Sequence, residues 1–323
     1  MAGNGVRGRF LWHELLTTDT KAAQLFYTKV VGWGMQGWDK DPSYRMWMAK
    51  TGPVGGLMTL PAEAKAMGAP PNWLTYIGTP DVDGTVRVAS GRGANVLRAA
   101  ETMPGVGRMA VLADPQGAVF AVYTPEAPMP SSDTPGLGEF SWHELATTDP
   151  AAALGFYSAL FGWEKTNSFD MGPESGLYQM YGWGGKSMGG IYKKPADMPA
   201  PPNWLPYAMV ANADQAAGRV TAAGGQIVNG PMEVPGGDRI AVILDPQGAV
   251  FAVHSKAKAV AVKAAKRKAP KRRAKRKTTT KKRPARKKAP RRVSARKRAP
   301  KRSARKKSPS RRPSRRTTRR KPR

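Results

Sequence analysis

Two octapeptides, WHELLTTD at residues 12–19 and WHELATTD at residues 142–149, each set a histidine beside a glutamate in a chain that holds only three histidines. Imidazole and carboxylate are common ligands of divalent ions and common general bases. Whether neighbours can act together depends on the element that carries them. FLWHELL alternates and is rich in aromatic and long apolar residues, so it reads as a strand. On a strand, Trp12, Glu14 and Leu16 share one face and His13 and Leu15 the other. His13 and Glu14 are therefore not expected to bind one ion, and His13 is expected to make a structural hydrogen bond. Glu14 and Glu144 are the catalytic candidates. Beside an indole in a semi-enclosed pocket, such a carboxylate hydrogen-bonds a ligand, or acts as a base if burial raises its pKa.

The phrases begin a long repeat. Residues 12–33 and 142–163 match at 13 of 22 positions. PPNWLTY (70–76) recurs as PPNWLPY (201–207), and DPQGAVFAV (114–122) recurs unchanged at 245–253. Landmarks in one order at an offset of 130–131 residues mean duplication of a whole domain, and a period this long leads us to expect a separate core in each copy. MPSSDTPG (129–136) reads as a linker.

Within a copy the order is strand, helix and three short strands, given twice. Asp149 followed by Pro150 fits N-cap and N1 of a helix that Gly162 ends. NWLPYAMVAN reads as a strand, DQAAGRVTAAGG as a helix, and QIVNGPMEV, DRIAVILD and GAVFAVH as strands. DPQG fits a type I turn, with Asp at the first position and Pro at the second. The glycine-rich GPVGG (52–56) and GGKSMGG (184–190) lack the spacing of a phosphate loop and read as hairpin turns.

Charge divides the chain in two. Residues 255–323 hold 36 of the 54 Lys and Arg and no acidic residue, leaving 18 basic against 22 acidic residues in the body. The basic segment lacks aromatics and nearly all aliphatics, so a disordered tail is expected. Its cadence resembles the Lys/Arg-Ala-Pro tails of linker-histone-like and nucleoid-associated proteins. Lys266, Arg267, Lys268, Lys271, Arg272, Arg273, Lys275, Arg276 and Lys277 begin the run expected to bind DNA or RNA through phosphates, without sequence preference. The absence of aromatics argues against stacking on single-stranded bases. With no cysteine, no apolar leader in MAGNGVRGRFLWHELL and no span of ~20 apolar residues, the chain reads as cytoplasmic and nucleoid-associated, with no membrane partner.

Paired βαβββ modules, a capped helix ending FY…GW and a closing DPxG hairpin resemble the vicinal oxygen chelate (VOC) superfamily. That superfamily contains glyoxalase I, extradiol dioxygenases and fosfomycin- and bleomycin-resistance proteins. The resemblance implies an α+β protein of two tandem VOC-like domains, 8–125 and 138–254, joined by a linker at 126–137 and followed by the tail at 255–323. In each domain the modules would form a curved sheet around a cavity.

Metal-dependent members hold a divalent ion through His, Gln or Glu on the strands. The matching positions here are Trp12, Leu74, Ala121 and Leu57 or Met58, then Trp142, Leu205, Ala252 and Ile191 or Tyr192. Only the tyrosine is a plausible ligand, so no cofactor is expected, with a divalent metal as the alternative. Trp12, Glu14, Trp73 and Tyr76, with Trp142, Glu144, Trp204 and Tyr207, are the expected ligand-binding residues; Trp47 and Tyr181 are further candidate walls. The leading expectation is a metal-free, small-molecule-binding protein tethered to nucleic acid. Its rivals are a glyoxalase- or lyase-like enzyme using Glu14 or Glu144, and a nucleoid-associated protein whose body only mediates interaction.

Overall fold

The computed structural model describes residues 5–129, 134–173 and 176–257. The nucleic-acid contacts expected at Lys266–Lys277 lie outside them. In the first repeat the order is β1 (Phe10–Thr17), α1 (Thr20–Val30), β2 (Gly34–Trp38), β3 (Asp41–Ala49), β4 (Gly52–Thr59) and α2 (Ala62–Ala66). Then come β5 (Asn72–Gly78), α3 (Val82–Ser90), β6 (Asn95–Met103), β7 (Gly107–Ala113) and β8 (Val119–Pro125). The second repeat runs β9 (Phe140–Thr147), α4 (Pro150–Phe161), β10 (Glu164–Asp170), β11 (Leu177–Trp183), β12 (Lys186–Lys193) and β13 (Asn203–Met209). It ends with α5 (Ala213–Ala222), β14 (Gln226–Glu233), β15 (Arg239–Leu244) and β16 (Val250–Ser255).

The helix starts follow from their caps. Asp19 accepts hydrogen bonds from the N–H groups of Lys21 and Ala22, and Asp149 from those of Ala151 and Ala152. Pro150 occupies the first turn of α4, and Gly162 closes it with φ 76°, a conformation that glycine adopts without a Cβ clash. In the second modules Asp81 and Asn212 do the same for α3 and α5.

The two modules of a repeat join edge to edge. β1 pairs antiparallel with β5, giving one eight-stranded sheet in the order β2-β3-β4-β1-β5-β8-β7-β6. The second repeat forms the corresponding sheet, β10-β11-β12-β9-β13-β16-β15-β14. Each sheet therefore has one face lined by Trp12, Glu14 and their counterparts, and a reverse face that carries the main core.

That reverse face corrects the expectation of separate cores. Leu15, Phe26, Tyr27, Trp33, Trp47 and Trp73 of the first repeat pack into one cluster with Ala213, Val220, Ile243 and Phe251 of the second. The reciprocal cluster joins Ile77, Val82, Leu112 and Phe120 to Leu145, Tyr157, Trp163 and Trp204. The first module of each repeat thus shares its core with the second module of the other. Paired helices supply the reason: α1 packs against α5 and α3 against α4, so each apolar helix stripe is covered by the other repeat.

Polar bonds across the junction follow the same exchange. The Trp33 indole donates to the Gly138 carbonyl at 2.7 Å, and the Trp163 indole to the Gly8 carbonyl at 3.0 Å. In each DPQG turn one aspartate oxygen closes the turn: Asp114 accepts from the N–H groups of Gln116 and Ala118, and Asp245 from those of Gln247 and Ala249. The other oxygen reaches across. Tyr157 donates to Asp114 at 2.9 Å, and Tyr27 to Asp245 at 3.1 Å. Among the described residues no helix is long and apolar enough to cross a membrane.

Candidate ligand cavity

β9 presents Trp142, Glu144 and Ala146 to a cavity of about 920 Å³ in the second repeat. Its wall is mainly apolar, with Phe169, Met180, Leu205 and Ile240 among the lining side chains. Glu144 reaches this space through a clamp. Tyr178 donates to one carboxylate oxygen at 2.6 Å and Tyr207 to the other at 2.7 Å. The Trp142 indole donates to the Tyr178 oxygen at 2.8 Å, orienting that hydroxyl toward the carboxylate. Burial raises the Glu144 carboxyl above its usual pKa, while the two tyrosine bonds pull it back. Burial and the adjacent carboxylate drive both phenols well above their ordinary value, so they stay protonated donors.

The first repeat repeats the clamp. Tyr76 donates to Glu14 at 2.8 Å, Tyr44 bonds the same carboxylate, and the Trp12 indole donates to the Tyr44 oxygen at 2.9 Å. The same face of the first sheet is packed with side chains. Leu16, Leu74, Met109 and Tyr123 cluster there, where the second repeat has Ala146 for Leu16 and His254 for Tyr123.

Trp12, Glu14 and Tyr76, with Trp142, Glu144 and Tyr207, lie on the cavity faces. Trp73 and Trp204 do not: both sit in the cores between the repeats, donating to Tyr27 and Tyr157. Strand alternation explains this, because Trp73 and Tyr76 are three residues apart and must face opposite ways. Trp47 and Tyr181 are core residues for the same reason. The cavity tyrosines of β3 and β11 are Tyr44 and Tyr178, three residues earlier. The same alternation, carried from Glu14 across the sheet, was the signal that could have found them.

The glycine-rich segments also differ from expectation. Gly184 and Gly185 form a turn, but Gly55, Gly56, Gly189 and Gly190 lie inside strands. A Cβ on Gly190 would overlap the Tyr178 ring, and one on Gly56 the Tyr44 hydroxyl. On the opposite face a Cβ on Gly189 would strike Tyr181 and the His143 carbonyl. These paired glycines let an aromatic ring lie flat on each side of the strand.

Residues matching the family's ligand positions reach the cavities as Trp12, Leu74, Ala121 and Met58, and as Trp142, Leu205, Ala252 and Tyr192. Leu57 and Ile191 turn into the cores. Indole, isobutyl and methyl groups offer no lone pair to a divalent ion, which leaves the Met58 thioether in one repeat and the Tyr192 phenol in the other, a single weak donor each where a site needs three or more ligands. This set does not fit the metal. Among the described residues no three His, Cys, Asp or Glu side chains gather as ligands.

His13 and His143 lie on the reverse faces, both buried, and meet each other with Nε2 atoms 2.7 Å apart. Each stacks on a phenylalanine of the other repeat, His13 on Phe140 and His143 on Phe10.

Comparison with known proteins agrees with this architecture. Residues 9–122 and 139–253 both match the Glyoxalase/Bleomycin resistance protein/Dioxygenase superfamily. The chain is 34% identical over 253 residues to a protein of Mycobacterium tuberculosis (strain CDC 1551 / Oshkosh) that carries the name glyoxylase CFP32, covering 75% of this chain and 92% of that one. It is 28% identical over 266 residues to the anthracycline biosynthesis protein DauV of Streptomyces sp. (strain C5), covering 75% and 91%. The Mn(II)-bound glyoxalase from Novosphingobium aromaticivorans superposes with a TM-score of 0.54 at 16% identity, over 79% of this chain and 84% of that one. With two matched segments, exchanged cores and an eight-stranded sheet in each repeat, the chain belongs to the Glyoxalase/Bleomycin resistance protein/Dioxygenase superfamily as a tandem member.

Proposed function

We propose that the second-repeat cavity binds a flat, largely apolar organic molecule without a metal ion, and that the basic tail ties the protein to DNA or RNA. The observation that carries the first part is Glu144, partly exposed and held by Tyr178 and Tyr207 at the floor of a cavity of about 920 Å³. Apolar walls with a few fixed polar groups are how small-molecule sites are commonly built. Each clamped oxygen retains a lone pair, so a ligand hydroxyl or N–H has a preoriented acceptor. The side chains at the family's ligand positions favour binding without a divalent ion. Similarity to a protein named for anthracycline biosynthesis favours a planar polycyclic ligand.

The test is titration of the full chain with an anthracycline, followed by quenching of tryptophan fluorescence. Saturable binding is expected to survive EDTA and to weaken roughly tenfold in Glu144→Gln, the loss of one charge-assisted hydrogen bond. No saturable binding would overturn the ligand class; binding that EDTA abolishes and Mn(II) restores would overturn the metal-free reading.

The tail reading is supported by 36 cations without an acidic residue over residues 255–323. At one DNA charge per ~1.7 Å, that number matches roughly 60 Å of duplex.

A further inference from the structure

β9 and β13 fall out of step at one point. Tyr207 pairs with Trp142 and Ala208 with Phe140, leaving Ser141 as an extra residue. A bulge of this kind breaks alternation and re-aims a side chain, and Ser141 joins Trp142 and Glu144 in lining the cavity. Its Oγ lies 2.8 Å from Nδ1 of His254, whose Nε2 lies 2.9 Å from an oxygen of Asp238. Lys256 and the Ala257 N–H also donate to Asp238, at 3.0 and 2.8 Å. Asp238 and His254 line the same cavity. The first repeat has the same bulge at Leu11 but holds Gly107 and Tyr123 at the other two positions, so this chain of groups is peculiar to the second.

The direction of each proton follows from the partners. Burial alone would raise Asp238, but the bonds from Ala257, His254 and Lys256 outweigh it and hold the carboxyl below its usual range. An ionised carboxylate only accepts, so Nε2 of neutral His254 carries the ring proton. Nδ1 then presents its lone pair, and the Ser141 hydroxyl donates into it. Burial keeps His254 below its ordinary pKa, leaving it neutral near pH 7. The competing acceptor, the Tyr207 carbonyl, is farther away at 3.3 Å.

We propose that Ser141 is an acyl-accepting nucleophile, with His254 as its general base and Asp238 as the orienting carboxylate, acting on aryl or similarly activated esters. Serine, histidine and aspartate in this linkage are recognised by geometry and not by fold. Ser141 Oγ attacks the ester carbonyl carbon as its proton passes to Nδ1. The tetrahedral adduct collapses with cleavage of the bond to the aryl oxygen, which takes the proton from Nδ1 and leaves as a phenol. Water, deprotonated at Nδ1, then attacks the acyl-serine; the bond to Oγ breaks, the carboxylic acid departs, and Oγ takes the proton back from Nδ1, restoring Ser141. An aryl ester suits the site because a phenolate leaves readily and the walls accept a ring.

This inference rests on the cavity admitting organic molecules, but not on the affinity of any one of them. The test treats the full chain with an alkyl fluorophosphonate, in which Ser141 Oγ displaces fluoride, and maps the adduct by mass spectrometry. This probe is chosen because aryl esters also acylate lysines, which abound in the tail. We expect one adduct on Ser141, absent in Ser141→Ala and formed roughly 100-fold more slowly in Asp238→Asn, with both variants melting as folded proteins. No adduct, an adduct on another residue, or an unchanged rate in Asp238→Asn would overturn the assignment. Labelling without anthracycline binding would remove the ligand reading alone; binding without labelling would remove only the nucleophile.

Discussion

His13 and His143, 130 residues apart in sequence, share one hydrogen bond between their Nε2 atoms across the junction of the repeats. Each neutral ring carries one proton, and only one of the two lies between the facing nitrogens. His143 also bonds the Met188 backbone, an interaction that favours its protonated ring nitrogen. Its other nitrogen is therefore the donor to Met188, and Nε2 accepts from His13.

Breaking this pair from one side leaves a buried ring nitrogen without a partner. His13→Ala and His143→Ala are each expected to cost about 2–4 kcal/mol, from the cavity and the orphaned group. The double variant should cost less than the sum by about 1 kcal/mol. Urea unfolding of the four proteins measures both terms, and strict additivity would refute the coupling.

The pair also predicts an acid slope. Burial holds His13 well below its ordinary pKa, with His143 adding to the effect, and burial holds His143 down to about 3. From roughly pH 6.5 downward the unfolded chain binds protons that the folded chain refuses, so stability falls as pH drops toward 3. Glu14 and Glu144, raised by burial, act in the opposite sense above the ordinary glutamate pKa. The contribution of the histidines is the difference between wild type and the double variant, whose stability should fall less steeply in melts from pH 7 to 4.

Gly190→Ala tests the reason for glycine beneath the tyrosine clamp. The added methyl overlaps Tyr178 and should cost about 1–3 kcal/mol while pulling one donor from Glu144. A lower melting temperature together with weaker anthracycline binding is expected. Gly155→Ala, inside α4 where a Cβ meets nothing within 4 Å, is the control and should leave binding unchanged while adding about 0.5–1 kcal/mol of helix stability.

Exchanged cores predict that neither repeat is a folded monomer alone. Residues 1–129, produced separately, would expose the apolar surface that Phe251, Ile243 and Val220 cover. Circular dichroism and gel filtration should find an unfolded or self-associated species. A cooperative monomeric melt would contradict the shared core.

Ending the chain after Ala257 retains the bonds to Asp238 and removes most of the basic residues. Mobility shifts with random-sequence duplex should disappear, and those of the full chain should weaken linearly in log affinity against log salt. Shifts that survive truncation would place nucleic-acid binding in the body.

What the sequence by itself determined is everything carried by local chemistry and period. The duplication, the capped helices, the DPQG turns and the opposite faces of His13 and Glu14 follow from adjacent residues or from a repeat of two along a strand. Family membership followed from the order of these landmarks. Alternation was also enough to place Trp73 and Trp204 outside the cavity, had it been carried on from Glu14 to the next strand. What only the tertiary structure decided is pairing at long range. That Tyr27 closes on Asp245, that His13 meets His143, and that a bulge turns Ser141 toward His254 depend on how two sheets pack back to back. A repeated sequence is equally compatible with cores kept within each copy or exchanged between them. The choice rests on burial of the helix faces, which α1 and α5, and α3 and α4, complete for one another.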